Sequence, residues 1–250
     1  MKIVFAFCLW WAMPAAGAVV GLVNQLSGEV SVAHGDGSSA KARMGMQLLV
    51  GDTVKTIGGA SAKLVMKDGN VFFVNESSSF IIKEYQDAEA KSGATTLTVD
   101  GTIHAQINHQ YDDQQSSFRM VTPASIVGVR GTEFLVDHQN GQSQVTTFSG
   151  TVDVGQQMNG RKILGAVHVT KGFQYTSHQP GLRQVPEQEL NQMRAAAQKP
   201  GYRASRRAQA KNRPFTPAGR TAKNQAQPPG EKNAAKAKLR HQRRRRQEEK

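Results

Sequence analysis

The chain has 250 residues, a formal net charge of +13 and one cysteine. The charge is uneven: 18 Lys and Arg stand against three Asp and Glu from Arg194 to Lys250, and 14 stand against 16 in the residues before them. The excess positive charge therefore belongs to a C-terminal appendage, which excludes a basic globular surface.

The first 18 residues have the features of a secretory signal peptide. Met1-Lys2 forms a short positive start, residues 3–11 are almost wholly apolar, and Ala16-Gly17-Ala18 supplies small residues for cleavage. Because the apolar run is too short for a comfortable bilayer span, we predict export to the periplasm or the cell surface. Cleavage after Ala18 would remove Cys8 and leave no thiol for a disulfide, a cysteine-ligated zinc site or a cysteine nucleophile.

From residue 19 to about residue 180, short strand-like runs alternate with turn signals. The runs alternate in polarity or are β-branched, as in Ala62-Lys63-Leu64-Val65-Met66 and Gln144-Val145-Thr146-Thr147-Phe148. This pattern predicts one all-β domain over residues 19–180, either a sandwich or a solenoid-like stack. Turns are predicted at Gly35-Asp36-Gly37, Gly58-Gly59, Asp68-Gly69-Asn70, Asp100-Gly101, Asn140-Gly141 and Asn159-Gly160.

Two other features concern the organisation of this β region. The polar stretches 84–93 and 108–117 are predicted to be loops, and the second places Asp112-Asp113 outside the core. Residues 27–32 (SGEVSV) resemble residues 149–154 (SGTVDV), which predicts two related β units on either side of a central segment.

That central segment is 122–136, with the sequence TPASIVGVRGTEFLV. Pro123 fixes its own backbone and removes a donor, so a strand is predicted to begin after it. Strand alternation predicts that Gly128, Arg130 and Thr132 share one face, while Gly131 and Glu133 share the other. Arg130 requires a partner: it either satisfies carbonyl groups at a β corner or lines a recognition groove, into which Glu133 would be drawn.

The sequence TPASIVGVRGTEF in this segment resembles the signature of the FecR domain, a periplasmic module of iron-transport signalling. Upstream matches occur at 28–30, 49–56, 62–64 and 68–69, and 149–154 fits the closing pattern, so the resemblance covers roughly 21–178. The resemblance implies a β fold, an envelope location and contact with a protein partner. The candidate binding residues are Thr122, Pro123, Gly128, Arg130, Gly131, Thr132 and Glu133.

In the iron-signalling members, the similar domain follows a cytoplasmic anti-sigma segment and a membrane helix. Here it directly follows the signal peptide, so we expect the extracytoplasmic contact and not sigma-factor regulation. Partner binding would occur by strand addition at an open sheet edge or through the surface around residues 122–133.

A short helix and a basic tail complete the chain. Pro186 to Gln198 reads as a helix within a linker at 181–200, and with only Leu190 and Met193 as large apolar residues it either packs on the body or is free. Residues 201–250 are too polar to form a core and are predicted to be disordered. Their densest charge is at Arg243, Arg244, Arg245 and Arg246.

The tail is either a solvated segment without a ligand or a tether to a polyanion, such as lipopolysaccharide, an acidic envelope polymer, an anionic lipid or nucleic acid. Export argues against a genomic partner. We therefore expect an anionic envelope polymer or lipid.

Catalytic patterns such as GxSxG, HExxH and a P-loop do not occur in the sequence. His104 and His109 lie near Asp112 and Asp113, but their separation of five places the two rings on opposite faces of a strand, so no metal site is predicted. We expect no cofactor and no enzymatic activity. The leading function is an envelope interaction or signal-sensing module; the alternatives are polyanion or nucleic-acid binding through the tail, and an unrecognised envelope enzyme.

Overall fold

A computed structural model describes residues 17–86, 93–111, 116–158, 161–162, 165–178, 181–200 and 202. Most of the predicted signal peptide, Asp112-Asp113, the Asn159-Gly160 turn and the tail with its four arginines lie outside these residues. The helix α1 spans Glu187–Ala197. The strands are β1 (Val19–Ser27), β2 (Val30–Ala33), β3 (Ser39–Lys41), β4 (Gln47–Leu49), β5 (Thr53–Thr56), β6 (Ser61–Met66), β7 (Val71–Val74), β8 (Ser79–Glu84), β9 (Gly93–Gln106), β10 (Ser116–Val121), β11 (Ser125–Val129), β12 (Glu133–Gln139), β13 (Gln142–Ser149), β14 (Thr151–Met158), β15 (Arg161–Lys162), β16 (Val167–Thr170), β17 (Phe173–Thr176) and β18 (Leu182–Gln184).

Apart from β15, which pairs with the end of β14, the strands form two sheets that share β9. Sheet A has the order β18-β17-β13-β12-β9-β7-β6-β1-β4. Sheet B has the order β3-β2-β5-β8-β9-β10-β11-β14-β16. Among the described pairs, β9 with β10 is parallel and the others are antiparallel. The predicted all-β class is confirmed.

The inner faces of the two sheets pack against each other, which makes the fold a sandwich. Phe72 of sheet A and Phe80 of sheet B are fully buried, with ring centroids 5.0 Å apart. Phe118 of sheet B completes this aromatic contact at 6.3 Å from Phe72. Of the two architectures that the strand pattern allowed, the sandwich is therefore the observed one.

A single strand, β9, passes from one sheet to the other. Its first part pairs with β10 in sheet B and its last part with β12 in sheet A, and the change occurs at Gly101, whose φ is +92°. The turn predicted at Asp100-Gly101 is therefore wrong. A glycine in the left-handed region permits a hairpin turn or a bend within one strand, and sequence alone does not separate the two.

Similar bends connect the sheets at two opposite ends of sheet A, and we call the end that contains Gly101 the corner row. The residues with positive φ in the corner row are Gly28, Gly59, Ser77 and Gly101, while Gly131, Gly150 and Gly172 lie at the opposite end. Gly28 links β1 to β2 and Gly150 links β13 to β14, each time from sheet A to sheet B. The two echoing sequence segments thus perform the same structural role.

Two predicted turns close hairpins of sheet A. Asn140-Gly141 joins β12 to β13, and Asp68-Gly69-Asn70 joins β6 to β7. The Asp68 carboxylate accepts hydrogen bonds from the hydroxyls of Tyr85 and Tyr111, at 2.9 and 3.0 Å. Burial, together with the charge of Asp68, raises the pKa of both tyrosines. The hydroxyls therefore stay protonated and hold this turn in place.

Helix α1 packs on the outer face of sheet A. Leu190 and Met193 are buried against Leu135 of β12 and Phe148 of β13. Of the two alternatives for this helix, the packed one is observed. No helix among the described residues is long and apolar enough to cross a membrane.

The direction of α1 follows from hydrogen bonds at its two ends. Before the helix, the backbone N–H of Val185 donates to Gly172 O at 2.7 Å. At its end, the side-chain amide of Asn75 donates to Ala197 O at 3.0 Å. The helix therefore crosses the outer face of sheet A, from Gly172 before β17 at one end of the sheet to Asn75 after β7 at the other.

Candidate interaction site

The central segment begins with a tight turn between β10 and β11. Thr122 is buried, and its hydroxyl oxygen accepts the backbone N–H of Ser125 at 2.8 Å. The side chain of Gln157 donates to Thr122 O. Pro123 is exposed in this turn, and β11 begins two residues later, as predicted.

Strand β11 presents the next candidate residues on the outer face of sheet B. Val127 and Val129 are buried in the core, so Gly128 faces outward. In the strand register, Gly128 lies opposite Arg119 of β10 on one side and Asp153 of β14 on the other. These three residues and Arg130 line an open depression of about 280 Å³.

The alternation predicted for the whole segment ends at Val129. Arg130 is exposed, and Gly131 has a φ of +59°, which turns the chain from sheet B to sheet A. Thr132 is buried in this corner, where its carbonyl accepts the N–H of Ile107 at 2.9 Å. The predicted alternation of faces is thus wrong from residue 130 onward.

Glu133 lies on the outer face of sheet A, beneath α1. The Arg194 side chain of α1 donates from Nε to Glu133 Oε1 at 2.8 Å, and from Nη2 to Oε2. His104 Nε2 lies 2.9 Å from the same Oε1. The hydrogen bonds of Glu133 therefore go to these two residues and Gln106, so the predicted grouping of Glu133 with Arg130 in one groove is not observed.

His104 is fully buried between two aromatic rings. Its ring stacks on Phe73 with centroids 5.3 Å apart and meets Phe148 edge-on at 5.5 Å. Since an ionised carboxylate only accepts hydrogen bonds, Nε2 must carry the proton that it shares with Glu133. Nδ1 has no hydrogen-bond partner among the described residues.

The pKa of Glu133 reflects these contacts. Burial would raise the pKa, but the hydrogen bonds from His104 and Arg194 and the electrostatic interactions with both residues outweigh burial and lower it from 4.5 to about 2. Glu133 therefore fixes α1 to sheet A as an ionised group. This link joins the central segment to the last helix before the basic tail.

Replacing Glu133 by glutamine should reduce the fall in folding stability between pH 4.5 and pH 2. A carboxyl group with a lowered folded-state pKa contributes stability above pH 4.5 that is lost as the pH falls toward 2. The free energy of unfolding of the variant should also be lower by about 1.5–3 kcal/mol at neutral pH, which is the range for hydrogen bonds to charged groups. Urea unfolding at several pH values measures both effects, and Glu187→Gln, at the exposed start of α1, should keep the wild-type curve.

The described residues contain no group of three or more His, Cys, Asp or Glu placed to hold a metal ion. His104 is held by Glu133, and His109 lies edge-on to Tyr111 at 4.7 Å. The two histidines thus have different environments.

Comparison with known proteins identifies the region around the central segment. Residues 52–153 match the family model described as FecR protein. This region is a FecR domain. It contains β5 to β13 and the start of β14, while β1 to β4 and β16 to β18 extend the same two sheets beyond it. None of the curated proteins matches the chain.

Among solved structures, the chain is similar to two crystal structures of a candidate anti-sigma factor from Parabacteroides distasonis, at 1.65 and 2.50 Å resolution. Each shows 16% identity and a TM-score of 0.42, and covers 56% of this chain and 62% of the other. The chain therefore spans less than two thirds of that protein.

The candidate residues thus separate onto two faces of the FecR domain. Gly128 and Arg130 lie at the depression on sheet B, whereas Glu133 holds α1 on sheet A. Sequence reasoning missed Arg119, Asp153 and Arg194. Two features of the sequence indicate the pairing of Glu133 with Arg194. Glu133 is a lone carboxylate in the apolar run Glu133 to Val136 and needs a cation, and Arg194 lies next to the apolar face of a helix.

Proposed function

We propose that the protein is a non-enzymatic interaction module of the cell envelope, in which the FecR domain binds a protein partner through the outer face of sheet B. The depression beside Gly128 carries this proposal. Arg119 and Arg130 are exposed at its rim, and their guanidinium groups have the planar geometry that binds carboxylates or carbonyl oxygens of a partner.

A second, apolar depression on the same face supports the proposal. It has a volume of about 160 Å³ and is lined by Ile81, Val121 and Pro123 among others. An apolar centre beside polar and charged groups is the usual composition of a protein–protein interface. Thr122 and Pro123 of the central segment also line this depression.

The face is a better candidate than the sheet edges. The edge strands are β3 and β16 in sheet B and β4 and β18 in sheet A, each of three or four residues. Such short edges offer few backbone groups for strand addition. We therefore favour binding through the face over strand addition.

Export and attachment complete the proposed function. The signal peptide of residues 1–18 would deliver the protein to the periplasm or the cell surface. The tail, with Arg243 to Arg246, would hold it to an anionic polymer or lipid, and two weak attachments on one chain increase retention through effective concentration. Mass spectrometry of the protein from cells should find an N-terminus after Ala18, and an intact N-terminus would contradict export by this route.

Charge reversal at Arg119 tests the binding face. Arg119→Glu should abolish retention of an envelope protein that crosslinks to the tagged wild-type chain in intact cells, because one of the rim cations becomes an anion. Lys41→Glu, which reverses an exposed cation of edge strand β3 that lines neither depression, should retain it. Equal retention by both variants, with unchanged thermal midpoints, would contradict the proposal.

A further inference from the structure

Helix α1 covers only part of the outer face of sheet A. It ends at Ala197 beside Asn75, and β7, β6 and β1 continue beyond it. A groove of about 280 Å³ opens over these strands. Its lining includes Phe73 of β7, and Pro200 closes it at the end of the helix.

The groove is lined mainly by apolar groups. Ala62 and Leu26 line it together with Phe73. Met44 also lines it and is 69% exposed, although it is a large apolar side chain. Leu22, further along β1, is 39% exposed. Apolar side chains left accessible beside a concave surface are typical of a binding site.

The charged side chains that line the groove are Lys63 and Lys199, both cationic. Lys63 Nζ lies 5.5 Å from the centroid of the Phe73 ring, so one cation sits directly beside the apolar floor. The chain's own tail, with its excess of Lys and Arg, has the same sign of charge and is an unfavourable occupant. A second copy that docked symmetrically, groove against groove, would bring the same two cations. The charges therefore favour an anionic segment of another protein.

We propose that this groove binds an acidic segment of a partner protein, with a large apolar side chain such as leucine over Phe73 and a carboxylate paired with Lys63. The site lies on sheet A, whereas the binding face proposed above lies on sheet B. Variants of Lys63 leave the depression beside Gly128 unchanged, so the two proposals fail independently.

Fluorescence anisotropy with labelled pentapeptides tests the groove. The probe has a central leucine with two acidic residues on each side; one control peptide has serine in place of leucine, and another has lysines in place of the acids. The full-length protein should bind the probe at least about tenfold more tightly than either control, a difference of about 1.4 kcal/mol.

Two variants with a reversed charge show where on the protein the peptide binds. Lys63→Glu should weaken binding of the probe about tenfold. Lys83→Glu, at an exposed position of β8 in sheet B, should leave the affinity unchanged. Both variants keep the basic tail, so attraction of the acidic peptide to the tail is the same in both. If Lys63→Glu fails to fold, Met44→Ser at the exposed rim should lose at least about threefold in affinity. Equal affinity for the leucine and serine peptides, or equal losses in the two lysine variants, would overturn the proposal.

Discussion

Replacing Gly101 by alanine should destabilise the sandwich by about 3–5 kcal/mol. A Cβ atom there would overlap Ser78 Oγ and would lie 2.8 Å from both Ser77 O and Ser78 Cα, so the backbone of the neighbouring corner has to move. The left-handed backbone at φ +92° adds its own strain for any residue with a side chain. Because β9 is shared by both sheets, a displacement at this point disturbs each of them.

Gly141→Ala is the matched control for this prediction. Gly141 also has a positive φ, of +74°, but a Cβ atom there would have no neighbour within 4 Å. Only the backbone strain remains, at about 1–2 kcal/mol. Urea unfolding followed by circular dichroism suits both variants, since both tryptophans, at positions 10 and 11, lie outside the described residues. Equal destabilisation by the two substitutions would contradict the close packing of the corner row.

Phe72→Ala is the second substitution with a large expected effect, at about 3–5 kcal/mol. Phe72 is fully buried and contacts Phe80 and Phe118 across the sandwich, so its removal leaves a cavity where the two sheets meet. The next residue, Phe73, points to the outer face of sheet A and is half-buried. Phe73→Ala should lower the free energy of unfolding by less than half as much, because solvent or a shift of neighbouring side chains can fill the space that it leaves.

The same unfolding measurement compares the two phenylalanine variants. A larger loss of stability for Phe73→Ala than for Phe72→Ala would mean that Phe73, and not Phe72, faces the core. The pair therefore tests which side of sheet A forms the core.

Local features of this fold were predictable from the sequence. The short strands, the turns at Asp68-Gly69-Asn70 and Asn140-Gly141 and the helix after Pro186 depend on near neighbours in the chain. The FecR signature at 122–136 likewise located the central segment. Such features follow from spacing and backbone preference alone.

The distribution of the candidate residues over two faces was not predictable in this way. The bend at Gly131 changes the sheet on which the following residues lie, and a strand pattern carries no sign of it. Glu133 is bound to residues 29 and 61 positions away, His104 and Arg194, which only the folded chain brings together. Long-range partners of this kind depend on the order of strands in the sheets, and this order has no local signal.

Site-specific photocrosslinking in intact cells tests the central claim that the outer face of sheet B binds a partner. A photoreactive residue at Thr98, which lines the apolar depression, should give a discrete adduct with an envelope protein. The same residue at Gln144, on the outer face of sheet A, should not give this adduct. Absence of any adduct from Thr98, or the same adduct from both positions, would contradict the account.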